Sequence, residues 1–161
     1  MVSPFKWGAG TDGFTNGPTN LMTTELNSLA SGNTAISSVG GSSGVFSQSN
    51  FGGDMWADRS LSFLFGGSCT PAAPNYIFGW FVLKADDTNF EVMPSNAAAA
   101  RDPDFVIPLL AAAYAANGLA PANGLIRIPS FLWKVQVWSQ VGATLPASGN
   151  KLILGTQEVD Y

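Results

Sequence analysis

The chain has no histidine and a single cysteine, Cys69. Without an imidazole there is no proton carrier with a pKa near 6.5, which Ser-His-Asp and Cys-His sites depend on. Structural zinc takes four Cys or His ligands, and one thiol does not supply them. No disulfide can form within the chain, so a stapled secreted scaffold is excluded. Charge is scarce as well: Asp, Glu, Lys and Arg make up 11% of the 161 residues, against about 25% in an ordinary domain. That argues against long surface helices, which draw on Glu, Lys and Arg. A net charge of −4 leaves no electrostatic footprint for nucleic acid or an anionic membrane. No segment reaches the roughly 18 apolar residues of a membrane helix. Met1 to Trp7 carries no apolar run of the signal-peptide kind, so synthesis and assembly in the cytoplasm are expected.

Aromatic and apolar residues are what the chain has in quantity. Hydrophobic residues make up 46% of it, with eleven Phe and five Trp, which a disordered tail would lack. At this length about 70% of the unfolded surface can be buried, enough for one self-sufficient core. The low surface charge and high aromatic count suggest a protein that meets other protein surfaces.

Residues 1–18 are rich in Gly, Thr and Asn and carry isolated aromatics, Phe5, Trp7 and Phe14. The pattern is neither strand nor helix, and reads as an extended arm whose aromatics need something to dock on. Residues 20–31 form the one good helix candidate: Met22, Leu26 and Leu29 fall at i, i+4 and i+7, Asn20 can cap the start and Gly32 can end it. Gly40-Gly41-Ser42-Ser43-Gly44 reads as a flexible linker. The boundaries are therefore an arm with a short helix and linker over 1–44, and a domain over 45–161.

From Val45 onward the pattern is that of strands. Val45–Phe51, Met55–Phe65 and Tyr76–Lys84 are predicted strands, the last covered on both faces. Asp86-Asp87-Thr88-Asn89 is a turn leading to a strand at Phe90–Met93. Phe105–Leu110 contains Pro108 and belongs at an edge or a bulge. Leu109–Ala116 reads equally as a short helix or a continuation. Leu125–Ile128, Phe131–Trp138 and Lys151–Val159 complete the set. About eight short strands without a βαβ rhythm predict an all-β antiparallel jelly-roll sandwich, preceded by the arm and the helix.

Chemistry-bearing candidates are few. Asp54/Asp58, Asp86/Asp87 and Asp102/Asp104 are the carboxylate pairs, all in turn-like contexts where Asp has an ordinary backbone-bonding job. The Gly pairs fit no phosphate-loop pattern. Cys69 lies in Gly66-Gly67-Ser68-Cys69-Thr70-Pro71, a turn-like stretch without cationic neighbours. The tryptophans carry more information. Each is either a core residue or an interface residue stacking on a sugar or a protein. Trp133 and Trp138 have opposite parity, so on a regular strand at least one points away from the core.

Three stretches, read together, resemble the jelly-roll capsid decoration (cement) proteins of tailed bacteriophages. They are Phe5-Lys6-Trp7-Gly8-Ala9-Gly10 with Leu21–Leu29, the strand-turn-strand Gly79–Glu91, and Ile126–Val135 followed by Val141–Leu152. Asp87-Thr88 stands where the family has Gly-Thr, and Ser130–Lys134 stands for its Pro-Gly-Lys-Phe-Lys run. The resemblance implies a virion structural protein, made in the host cytoplasm. It would bind the outer capsid surface and bridge major capsid protein subunits; the alternating apolar sandwich is, separately, suited to associating with itself around a symmetry axis, as a dimer or a trimer. It implies no enzyme activity and no catalytic residue, and no cofactor is expected; nucleic acid and membrane partners are argued against by the charge and apolar pattern above. Candidate contact residues are Phe5, Lys6, Trp7 and Phe14 of the arm, with Trp133 and Trp138. The alternative is a glycan- or receptor-binding jelly roll of a phage tail or adhesion structure.

Overall fold

The computed structural model describes residues 19–38, 44–46, 58–86, 89–91, 101–129 and 131–155. Among the described residues ten strands follow in order: β1 (Thr19–Met22), β2 (Thr34–Ile36), β3 (Asp58–Arg59), β4 (Leu61–Leu64), β5 (Tyr76–Leu83), β6 (Phe105–Pro108), β7 (Leu119–Pro121), β8 (Ile126–Arg127), β9 (Trp133–Gln140) and β10 (Lys151–Leu154). Two four-stranded antiparallel sheets, ordered β1-β10-β4-β7 and β2-β9-β5-β6, face each other across one core, and β3 pairs with β8 as a separate ribbon. The protein is thus all-β and sandwich-like. Of the eight strands in the large sheets, only β5 and β6 are sequence neighbours within one sheet. Every other step along these strands crosses from one sheet to the other.

Alternation decides what fills the core. On β9, Trp133, Val135 and Val137 point inward and are buried. On β5, Ile77 and Phe81 do the same. Between them Gly79 leaves room for the ring of Phe105, its partner on β6: a Cβ at Gly79 would lie 1.9 Å from Phe105 Cζ. Leu61 and Phe63 of β4 and Leu152 and Leu154 of β10 supply the opposite wall. Trp133 sits at the centre, stacked on Phe46 at 4.8 Å between centroids and edge-on to Phe81 at 4.9 Å. Such ring pairs add about 0.5–1.5 kcal/mol each beyond the area they bury.

The helix expected over 20–31 is absent. Thr19–Met22 is strand, and only Thr24–Leu26 makes a single 3-10 turn. Met22, Leu26 and Leu29 are buried as their spacing implied, but so is Leu21. A three-turn helix in isolation is marginal, and Asn, Ser and Thr bond their own backbone instead of propagating one. The open edge of β10 offers β1 a ladder of hydrogen bonds, and that wins. Gly32 does end the segment, but as a left-handed residue (φ +89°) at the turn into β2. Residues 19–36 thus add an edge strand to each sheet, so the sandwich includes residues ahead of the Gly/Ser stretch. That stretch is partly outside the described residues. Gly44, within it, accepts a hydrogen bond from the buried Ser37 Oγ (2.8 Å).

Elsewhere the strand pattern holds over β4, β5, β8, β9 and β10. Pro108 ends the edge strand β6, paired on one side only. The turn after β5 is held by Asp86, whose Oδ1 accepts the Asn89 N–H (2.7 Å). Leu109–Ala116 is not helical; Tyr114 bridges to Cys69 and stacks on Phe65 at 4.5 Å.

Candidate interaction surface

Trp133 is fully buried, so of the two indoles singled out on β9 only Trp138 reaches the surface. Phe5, Lys6, Trp7 and Phe14 lie outside the described residues. Trp138 stands on the outer face of the β2-β9-β5-β6 sheet, directly across from Phe78 on β5, with centroids 5.7 Å apart. Its indole N–H donates to the Gly32 carbonyl (3.1 Å), which fixes the ring along the sheet. Tyr76, two residues back on β5, stacks on Phe78 at 5.8 Å. The result is a row of three rings over two strands. Ile36, 46% exposed, and Tyr76, 39% exposed, extend the patch at two of its borders.

Further along β5 the same face is closed. Trp80 and Val82 point outward by parity yet are buried, and the Trp80 indole N–H donates to the Arg101 carbonyl (3.1 Å). Here β6 no longer runs alongside, and the open edge of β5 is filled by charged groups. Asp104 Oδ2 accepts the Phe81 N–H (2.7 Å), and Arg101 donates to the Phe81 carbonyl (2.8 Å). Glu91 Oε2 accepts the Leu83 N–H (3.0 Å), while its own backbone N–H donates to the Leu83 carbonyl (2.9 Å). Arg101 also pairs with Asp104 at 2.8 Å and faces Glu91 at 3.5 Å. The hydrogen bond to Asp104 is the main reason the Arg101 guanidinium is held above its ordinary pKa, against the opposing effect of burial.

Beside this edge opens a cleft of about 570 Å³, lined by Phe81, Leu83, Ile128 and Pro129 with Arg101 and Arg127. Glu91 and Asp104 also border it, so its formal charges balance. Near it Phe131 is 69% exposed, and Leu132 is exposed too. Phe131 shares the parity of Trp133, so alternation alone puts both in the core. The strand starts only at Trp133, however, and the Pro129-Ser130 break before it is the signal that frees Phe131 from that rule.

Of the paired carboxylates, Asp86 and Asp104 do structural work and Asp102 is exposed. Asp86 closes a turn and Asp104 fills an edge; Asp54 and Asp87 lie outside the described residues, as does the Asp58 side chain. Among the described residues no group of three or more His, Cys, Asp or Glu is placed to hold a metal ion. Cys69 is buried, and burial pushes its thiol pKa up, away from the nucleophilic thiolate. What the described surface offers is aromatic and aliphatic area, in Tyr76, Phe78, Trp138, Ile36, Phe131 and Leu132. Comparison with protein-family models, curated proteins and solved structures gave no match.

Proposed function

We propose that the sandwich is an eight-stranded jelly roll, and that the chain is a capsid decoration protein. In this reading it binds the outer surface of a tailed-phage head and bridges neighbouring major capsid protein subunits. The observation that carries the fold reading is strand order. Numbering only the eight strands of the large sheets in sequence, one sheet reads first-eighth-third-sixth and the other second-seventh-fourth-fifth. Two Greek keys wound together generate this order, and viral capsid and lectin domains share the resulting architecture. The resemblance of the strand-turn-strand and closing segments to decoration proteins directs the choice toward the virion.

The mechanism is linkage. A ligand that binds only the expanded lattice stabilises it by RT ln(1 + [L]/Kd), about 2.7 kcal/mol per site at a hundredfold excess over Kd. Many copies make weak contacts effective. Such contacts favour aromatic and neutral polar groups, since interface cores are depleted of Lys, Glu and Asp. Trp138 with its row, and the aromatics Phe5, Trp7 and Phe14 ahead of β1, are the groups of that kind. The glycan-binding alternative gains little from the row. Its rings stack against one another, and the Trp138 N–H is already used on Gly32.

The test is reconstitution. Purified chain added to particles that lack it should bind at saturating, lattice-defined stoichiometry and raise the temperature of shell disruption. A chain starting at Thr19 should fold but coat poorly. Full-length protein that leaves expanded shells bare, or binds glycans instead, overturns the reading.

A further inference from the structure

One tetrapeptide occurs twice in the chain, as Ala116-Asn117-Gly118-Leu119 and as Ala122-Asn123-Gly124-Leu125. Asn-Gly is the dipeptide in which an asparagine amide is least durable. Asparagine is among the thermolabile residues, and glycine has no side chain to keep its backbone nitrogen away from the side-chain carbonyl before it. The two copies share their local sequence, so their intrinsic reactivity is the same and any difference between them is set by the fold. Solvent does not separate them, because Asn117 and Asn123 are both exposed. A further pair, Asn16-Gly17, lies outside the described residues.

The reaction runs through the glycine nitrogen. It attacks Cγ of the asparagine, the new C–N bond closes a succinimide ring, and the side-chain nitrogen leaves as ammonia with the proton that the glycine N–H gives up. Water then opens the ring at either carbonyl, leaving aspartate or isoaspartate. At Gly118 that N–H is engaged, donating to the Ala115 carbonyl (3.0 Å). The peptide is also fixed on both sides: the Asn117 N–H donates to the Phe65 carbonyl (2.7 Å), and the Gly118 carbonyl accepts the Phe65 N–H (3.0 Å). Asn117 is held at φ +64°, and a Cβ on Gly118 would lie 3.2 Å from Tyr114 Cδ1. Gly124 has none of this restraint. Among the described residues nothing accepts its N–H, and a Cβ there would meet no atom within 4 Å. Asn123 is tied through its own N–H, to the Val106 carbonyl (2.9 Å). That bond leaves the following peptide free to turn its nitrogen toward Cγ.

We propose that Asn123 is a site of spontaneous deamidation, and that Asn117, in the same tetrapeptide, is protected by the fold. The inference stands whether or not the chain coats a shell. Each event exchanges a neutral amide for a carboxylate on a chain of net charge −4. The isoaspartate product also runs the backbone through the former side chain, which lengthens the link between β7 and β8. That link joins the two large sheets: the Ala122 N–H donates to the Leu61 carbonyl of β4, and the Asn123 N–H to the Val106 carbonyl of β6. The modification therefore acts on the seam between the sheets, on the side where β6 and β7 are the edges.

Timed incubation of the folded full chain in mildly alkaline buffer tests this. Trypsin cuts after Arg101 and Arg127, so both sites fall in one peptide, 102–127. Fragmentation of that peptide in a mass spectrometer assigns each conversion to its asparagine. A parallel incubation in guanidinium chloride supplies the unfolded reference. In the folded chain Asn123 should convert at least about tenfold faster than Asn117, the factor that one retained hydrogen bond is worth at the upper end of its range. Once the chain is unfolded the two rates should agree within about twofold, since only the shared local sequence is left. Asn123→Gln should keep the β circular dichroism spectrum and show no conversion in peptide 102–127 over the same period. Equal rates in the folded chain, a faster Asn117, conversion that persists in Asn123→Gln, or a folded Asn123 still intact when the unfolded chain has reacted would overturn the inference.

Discussion

The two halves of β5 meet the same requirement by different means. In the first half, Tyr76 to Gly79, the backbone is bonded on both edges, to β9 and to β6, and the outward rings of Tyr76 and Phe78 are left partly open. In the second half, from Trp80 to Leu83, β9 supplies one edge and Asp104, Arg101 and Glu91 supply the other, while outward Trp80 and Val82 are buried. Residue type does not separate the halves, since both point an aromatic ring outward. What separates them is where the backbone finds its partners. A full ladder needs no help and leaves its face available. A missing strand draws in charged side chains, and beside them the outward Trp80 and Val82 are buried.

Substitutions can break this contrast at several depths. The largest effect belongs under both halves, at Trp133, which faces inward opposite Leu83. Trp133→Ala should cost about 3–5 kcal/mol, read as a fall in the urea midpoint, whereas Trp138→Ala should cost clearly less and leave the core intact. A similar loss for the two would mean that the outward ring packs as core. Next is the side-chain-filled edge. Arg101→Ala leaves the Phe81 carbonyl without its side-chain donor and Asp104 without its ion pair, and should destabilise by about 1–3 kcal/mol. Hydrogen exchange at Phe81 and Leu83 should quicken while Ile77 stays protected; uniform exchange along β5 would refute the division.

A smaller effect tests a carboxylate away from both halves. Glu25 is pushed up by burial, but its bonds from Ser38 and Thr23 outweigh that and hold its pKa below 4.5. A lowered folded-state pKa contributes stability that is present above the unfolded value and lost as pH falls through the folded one. Wild type should therefore be more stable than Glu25→Gln at pH 7, with the gap closing below about pH 4.5. A melting-temperature difference constant from pH 7 to pH 3 would contradict this. The smallest effect is expected at Ser139, buried on the inner face of β9 opposite Ile77, where its Oγ has no partner among the described residues. Ser139→Ala should shift stability by less than about 1 kcal/mol, in the stabilising direction.

Much of the fold was legible because β5 and β9 are long enough for alternation to dominate. Pro108 likewise announced an edge through its missing N–H. The two edge strands before residue 44 were not legible. Met22, Leu26 and Leu29 satisfy helical spacing by coincidence, and the edges that recruit β1 and β2 belong to β10 and β9, a hundred residues or more away. The candidate surface was half legible. Parity said that Trp133 and Trp138 diverge, but which one faces solvent depends on where the opposing sheet lies. Phe131 needed the start of β9 to be known within two residues. The filled edge of β5 gave no local signal, since Glu91, Arg101 and Asp104 converge only through tertiary structure.

That filled edge also limits how copies of the protein can join. Exposed strand edges invite intermolecular pairing, and runaway pairing of this kind builds fibres. At Phe81 and Leu83 the molecule's own guanidinium and carboxylates already occupy the positions an intruding strand would take. Crowding many copies together therefore does not zip them into a continuous ribbon at this point, and assemblies that form through faces stay countable.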